Sequence, residues 1–165
     1  MQNISDAELQ QLTIQIAKHL LDRNLSLSVA ESCTGGWVAK CCTDLAGSSA
    51  WFDRGVVSYS NQSKQDLLNV QASTLTKFGA VSEQTALEMA QGCLSLSNAD
   101  ISVSITGIAG PDGGSLEKPV GTAWIAWALK GSAKAELHHF SGNRDAIRRQ
   151  AVSTALNGII KNASD

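Results

Sequence analysis

Few of the residues that build metal, membrane or nucleic-acid sites are present in this chain. Of 165 residues only three are histidine, and His19, His138 and His139 share no ligand spacing; no carboxylate cluster accompanies them, so a metal site is not expected. Charged residues make up 17% and the formal net charge is -2, which leaves no basic excess for direct nucleic-acid binding. No apolar run approaches the roughly 18 residues of a membrane span, and Met1 to Asp6 lacks the basic start and apolar core of a leader. Cys33, Cys41, Cys42 and Cys93 form no C-x-x-C pair, as suits a reducing compartment. A soluble, cytoplasmic protein of one domain over residues 1–165 is expected, with 43% hydrophobic residues to build its core.

What is present alternates between helix and strand patterns. Ser5 and Glu8 form a capping box for a helix to about Arg23, with Leu9, Leu12, Ile16 and Leu20 on one face that packs on a sheet. Leu25 to Ala30 alternates apolar and serine residues as a strand, and Gly35 to about Leu45 reads as a second helix. Phe52 to Tyr59 is the next strand, followed by a polar turn over Ser60–Lys64, a short helix through Leu68 and a polar connection. Ser82 caps a long helix bearing Ala86, Met89 and Cys93; Ala99 to Ile105 is a strand; Val120–Leu129 and Ala133–Phe140 form an antiparallel pair. Asn143 opens a last helix with Ile147, Val152, Leu156 and Ile159. Three strands separated by helices, then a hairpin, predict an α/β sandwich with a mostly parallel sheet and one antiparallel strand.

Ligands of such sheets bind beyond the carboxyl ends of the parallel strands. Ser32, the Tyr59–Lys64 turn and the Thr106–Gly114 loop all follow strands and can converge there. Ser32 is either a helix cap or a nucleophile. No histidine follows a parallel strand, so a serine–histidine–aspartate triad is not expected. Lys64, partly desolvated in a cleft, is the better base, with Tyr59 as relay or oxyanion donor; alternatively both are ordinary turn and packing residues. Thr106–Gly114 holds four glycines and a proline in nine residues, which lets its amides approach a ligand, but it is not a P-loop. Arg144 and Arg148, one helical turn apart, could clamp a phosphate or simply form a solvated face. Cys33 is a rival nucleophile or a small buried thiol. Glu31 either orients Lys64 or caps the turn.

Ala30–Gly36 (Ala-Glu-Ser-Cys-Thr-Gly-Gly), Gly47–Phe52, Tyr59-Ser60-Asn61, Gly79–Glu83, Thr106–Gly114 with Lys118–Thr122, and Gly142-Asn143-Arg144 closely resemble the CinA C-terminal domain family, in order along residues 5 to 160. The resemblance implies a three-layer α/β/α sandwich with a mixed sheet, no cofactor and a homodimer. It also implies hydrolysis of the carboxamide of nicotinamide mononucleotide to nicotinate mononucleotide and ammonia, in pyridine nucleotide salvage. Longer family members carry a molybdopterin-binding-like domain, for which 165 residues leave no room. By the same resemblance Ser32 is the nucleophile, assisted by Tyr59 and Lys64. Expected substrate contacts are Glu31, Thr34, Gly35, Thr106, Gly107, Gly110 and Arg144, with amides at the start of the Gly35 helix holding the oxyanion. The competing readings are a non-catalytic nucleotide-binding module, a competence- or damage-associated accessory protein, and glycosidic rather than amide hydrolysis, which normally requires a carboxylate pair.

Overall fold

Ser5 accepts the Glu8 amide while the Glu8 carboxylate accepts from Ser5, closing the capping box that starts helix α1 (Asp6–Asp22). The computed structural model describes residues 4–163, so most of the Met1–Asp6 segment read above for a leader lies outside the described residues, as do Ser164 and Asp165. After α1 come β1 (Leu27–Glu31), α2 (Trp37–Thr43), a 3₁₀ turn over Ser48–Ala50, β2 (Phe52–Val57), α3 (Asn61–Leu68), α4 (Ala72–Phe78) and α5 (Glu83–Leu96). They are followed by β3 (Ile101–Gly107), β4 (Thr122–Leu129), β5 (Ser132–His139) and α6 (Arg144–Asn162).

The five strands form one sheet in the order β2-β1-β3-β4-β5. β1 is parallel to both β2 and β3, whereas β4 is antiparallel to β3 and to β5, so β4 alone runs against the others. Leu27, Val29, Ile101, Val103, Ile105, Ile125 and Trp127 face a helix layer of α1, α2 and α6, which contributes Leu9, Ile16, Leu20, Val38, Val152, Leu156 and Ile159. The other face packs on α3 and α5 through Ala30, Leu68, Met89 and Cys93, and through Ala86 and Ala90 against Ala126 and Ala128.

This second layer explains the serines of the inner strands. Ser102 Oγ donates to Ala90 O and Ser104 Oγ to Ala86 O, both at 2.6 Å, so a small polar side chain lets α5 lie close to the sheet while satisfying itself on a helix carbonyl. The alternating apolar and serine residues of the inner strands are therefore buried on both faces. Gly92 marks a second close approach, of α5 to α3, since a Cβ there would sit 1.9 Å from Leu68 O.

Several boundaries differ from expectation; β3 runs on through Gly107, so Thr106 and Gly107 end the strand rather than open the glycine-rich loop. α2 begins at Trp37 rather than Gly35, because Gly35 and Gly36 adopt positive φ of 62° and 95° that a helix cannot continue. The polar connection after Leu68 contains α4. Ser60–Lys64 is not a turn but the start of α3, where Ser60 and Ser63 cap one another reciprocally. Among the described residues no helix is long and apolar enough to cross a membrane.

Candidate active site

The parallel register places Glu31 opposite Val57, so the residues after them, Ser32 and Ser58, leave the sheet together at its carboxyl edge. Each extends the ladder by one bond, Ser32 N to Ile105 O and Ser58 N to Glu31 O. Two residues beyond Ser58 the Ser60 cap turns the chain into α3, whose first turn carries Lys64 back over the strand ends. Lys64 Nζ lies 2.9 Å from Ser32 Oγ, 2.7 Å from Ser58 O and 3.5 Å from Tyr59 O. Three acceptors thus meet the three donors of the ammonium, and no carboxylate is among them. With only 1% of Lys64 exposed, burial disfavours its charged form and lowers its pKa from 10.5 to about 8. A minor neutral fraction then exists near pH 7, and its nitrogen lies within hydrogen-bond reach of the serine hydroxyl.

Cys33, beside Ser32, is also buried, but there burial pushes the thiol up to about 11, so it stays protonated and is a poor nucleophile. Glu31 does not orient Lys64. Its carboxylate, 1% exposed, accepts from the amides of Gly36 and Val38 at 3.1 Å and of Ala39 at 2.9 Å, capping α2 in place of Ser32, which makes no cap bond there. Those amides are therefore committed to Glu31 rather than open to an oxyanion. The amides of Cys33 and Thr34, immediately after the serine, have no acceptor among the described residues.

A cleft of about 280 Å³ brings Ser32, Tyr59, Lys64, Thr106, Gly107, Gly110 and Arg144 together, along with Ala80, Val81 and Asp112. Thr34 and Gly35 instead border a separate groove with Trp37, Lys40, Arg148 and Arg149, and Glu31 lines neither, so these three expected substrate contacts do not reach the Ser32 cleft. Tyr59 is 62% exposed and its hydroxyl accepts from Arg144 at 3.2 Å; its carbonyl, not its phenol, faces Lys64, so a proton relay through the phenol has no geometric basis. Arg144, at the first position of α6, also donates to Gly110 O at 2.7 Å and so stands between the tyrosine and the glycine-rich loop. Thr106 Oγ1 donates to Ala80 O at 2.7 Å and ties β3 to the α4–α5 connection. The two arginines expected to act together separate: Arg148 donates to Cys33 O and Thr34 O and leaves the cleft to Arg144.

Four further residues, none assigned a role in the site from the sequence, contribute to it. Ser58 supplies a carbonyl to Lys64. Lys118 donates to Phe78 O at 2.9 Å and Val81 O at 2.8 Å, binding the glycine-rich excursion to the opposite wall of the cleft. Ala80 and Val81 line that wall. Lys118 within Lys-Pro-Val-Gly, and Gly79–Glu83 beside it, are the sequence signals that could have pointed to the pairing.

The model of the CinA C-terminal domain matches residues 9–163. Over 154 residues the chain is 54% identical to nicotinamide-nucleotide amidohydrolase PncC of Escherichia coli strain K12, covering 93% of each, and it is 52% identical to the PncC of Enterobacter agglomerans, covering 96% of this chain and 100% of that one. The crystal structure of a competence/damage inducible protein, CihA, from Agrobacterium tumefaciens matches with a TM-score of 0.91 and 44% identity over 98% of both chains. A CinA superfamily protein from Klebsiella pneumoniae matches with a TM-score of 0.91 and 38% identity, over 94% of this chain and 98% of that one. By sequence and by fold, this chain belongs to the CinA C-terminal domain family.

Proposed function

We propose that this chain, as a single domain, is a nicotinamide-nucleotide amidohydrolase that converts the carboxamide of nicotinamide mononucleotide to the carboxylate and releases ammonia. The observation that carries the chemistry is the 2.9 Å contact between Ser32 Oγ and a buried Lys64 whose pKa is lowered to about 8. The substrate is supported by the relatives named above, whose printed activity is that of a nicotinamide-nucleotide amidohydrolase. Cytoplasmic pyridine nucleotide salvage is the setting that goes with it, and a homodimer is the assembly that the family resemblance implies.

Ser32 Oγ attacks the amide carbon as its proton passes to neutral Lys64 Nζ. The carbonyl oxygen becomes a tetrahedral oxyanion at the turn after Ser32, where the amide of Cys33, a residue of the cleft wall, and that of Thr34, which follows it in the chain, are the donors offered to it. Collapse breaks the C–N bond, and the ammonium of Lys64 returns the proton to the departing nitrogen as ammonia. Water then adds to the ester, Lys64 taking its proton, and the ester bond breaks to free Ser32 and the product acid. Arg144, held by Gly110 and Tyr59 at the mouth, meets the nucleotide phosphate with its remaining donors, while Gly107 and Gly110 form part of the cleft wall along the ribose. Binding a remote phosphate fixes the amide over Ser32, which favours the nucleotide over free nicotinamide.

The test is ammonia release from nicotinamide mononucleotide by the purified chain and by Ser32→Ala. The expected result is turnover in the first and its loss in a folded second. Binding without turnover by the wild-type chain would reduce it to a nucleotide-binding module, and release of ribose phosphate would indicate glycosidic cleavage.

A further inference from the structure

Two charged side chains reach the turn after Ser32 from opposite sides, and they never meet. Glu31 takes the N–H of Gly36 at the end of the turn and those of Val38 and Ala39 in α2, and Arg148 takes two of the turn's carbonyls. Arg148 lies one helical turn after Arg144 in α6, yet its Nε donates to Cys33 O at 3.1 Å and its Nη2 to Thr34 O at 2.7 Å, across 115 and 114 positions of sequence. The guanidinium also lies over the Trp37 ring, 4.9 Å from its centre, which restricts its movement out of the plane of those bonds. The nearby acids Asp6 and Asp145 are both engaged by Arg149, so among the described residues Arg148 has carbonyls as its partners and no carboxylate.

A planar fork that grips two successive carbonyls fixes the orientation of two peptide groups. Each peptide is itself planar and trans, so holding Cys33 O on one side directs the Thr34 N–H to the other. That amide is one of the two unengaged donors beside the nucleophile. We propose that Arg148 is a positioning residue for Ser32: by holding the Cys33 and Thr34 carbonyls it fixes the turn that follows the serine, and with it the direction of the free Thr34 amide and of the serine hydroxyl toward the substrate carbonyl. The inference rests on the reading of Ser32 as nucleophile. A phosphate-clamping role fits less well, because Arg148 faces the Trp37 groove and not the cleft.

The test compares Arg148→Ala and Arg148→Lys with the wild type by steady-state ammonia release, by the rate at which a fluorophosphonate probe labels Ser32, and by thermal unfolding. Misplacement of a catalytic group by about 1 Å can cost ~100-fold, so kcat for Arg148→Ala should fall at least ~10-fold with KM within ~2-fold, and labelling should slow in parallel. Millimolar guanidinium chloride should restore part of the loss. Arg148→Lys should fall between, since an ammonium cannot hold both carbonyls in one plane. A rise in KM at unchanged kcat, or a labelling rate equal to the wild type, would overturn the proposal, as would a loss fully accounted for by unfolding and not rescued by guanidinium. If the wild type labels but releases no ammonia, the amidase reading falls while the labelling comparison still decides the role of Arg148. A wild type that neither labels nor turns over sinks both.

Discussion

Ser32 Oγ and Lys64 Nζ are 2.9 Å apart, and the amine's other bonds go to the carbonyls of Ser58 and Tyr59. A carboxylate in their place would hold the lysine charged. Neutral carbonyls solvate the ammonium only in part, so burial prevails and the free base becomes accessible near neutrality. On the proposed reading of Lys64 as the base, a pKa of about 8 leaves it largely charged at pH 7 with a minor free-base fraction that can accept a serine proton.

The pH dependence follows from that balance. With the folded pKa at about 8, the free base grows with pH, so kcat/KM should rise close to tenfold per unit below about 8 and level off above it. Stability changes in the same direction. The unfolded chain holds the Lys64 proton up to about 10.5 and the folded one only to about 8, so the cost of burying the charge is fully present below 8 and is relieved as pH rises through that window. Its size is on the order of 3 kcal/mol. Initial rates from about pH 6 to 9.5, paired with urea unfolding near the two extremes, check both; a flat rate profile would remove Lys64 as the base.

Lys64→Met should separate activity from stability. Loss of the base should lower kcat by ~10² to 10⁴, while removal of a buried amine holds or raises Tm. Calorimetry on the variant decides, and a marked fall in Tm would make Lys64 a structural residue.

Arg144→Ala should act on affinity. Losing a charge-assisted contact to a phosphate costs about 1.5 to 3 kcal/mol, so KM should rise roughly 10- to 100-fold with kcat within a few-fold. Free nicotinamide, which lacks the phosphate, should be insensitive to the substitution. Equal effects on both compounds would move the phosphate elsewhere.

Glu31→Ala should damage the fold before it damages the chemistry. Three amides lose a buried acceptor and α2 loses its cap, at about 3 kcal/mol or more, which lowers Tm by roughly 6 °C or more. Thermal unfolding measures it directly; an unchanged Tm would show that water replaces the carboxylate without cost.

Gly92→Ala tests the packing behind the base. The added Cβ would meet Leu68 O at 1.9 Å, a backbone atom at the end of α3, so α3 must shift and carry Lys64 with it. Overpacking should cost about 1 to 3 kcal/mol, and kcat should fall by more than the lost folded fraction explains. A stability loss with normal kcat would mean that α3 yields locally at Leu68.

What could be read from the sequence was what local chemistry declares. The Ser5–Glu8 box, the Ser82 and Asn143 caps and the hairpin at Gly131 depend on neighbours a few positions apart, and they are all present. Lys64 looked like a turn residue because the α3 cap uses Ser63 where the familiar box has an acid. α4 was hidden by two threonines and the lack of a side-chain cap bond. In the site, Ser32, Lys64 and Arg144 stood out as side chains of suitable chemistry, but half of their partners are carbonyls, which no residue pattern reveals. Arg148 is the extreme case: its spacing to Arg144 suggested a shared ligand, whereas its bonds cross the molecule to a main-chain turn. Glu31 was likewise misleading, since it caps amides five, seven and eight residues ahead rather than the usual two or three.

Ser32 and Lys64 depend on neighbouring strands, one directly and one through the short Ser58–Ser60 link, so their separation inherits the alignment of β1 on β2 that pairs Glu31 with Val57. A slip of one residue in either strand would send its side chains to the opposite face of the sheet and part the hydroxyl from the amine, even if every helix still formed. The pair thus works as a proofreader of strand alignment. A misthreaded molecule could be well packed and would still be chemically silent, which makes turnover a stricter report of correct folding than any measure of secondary structure.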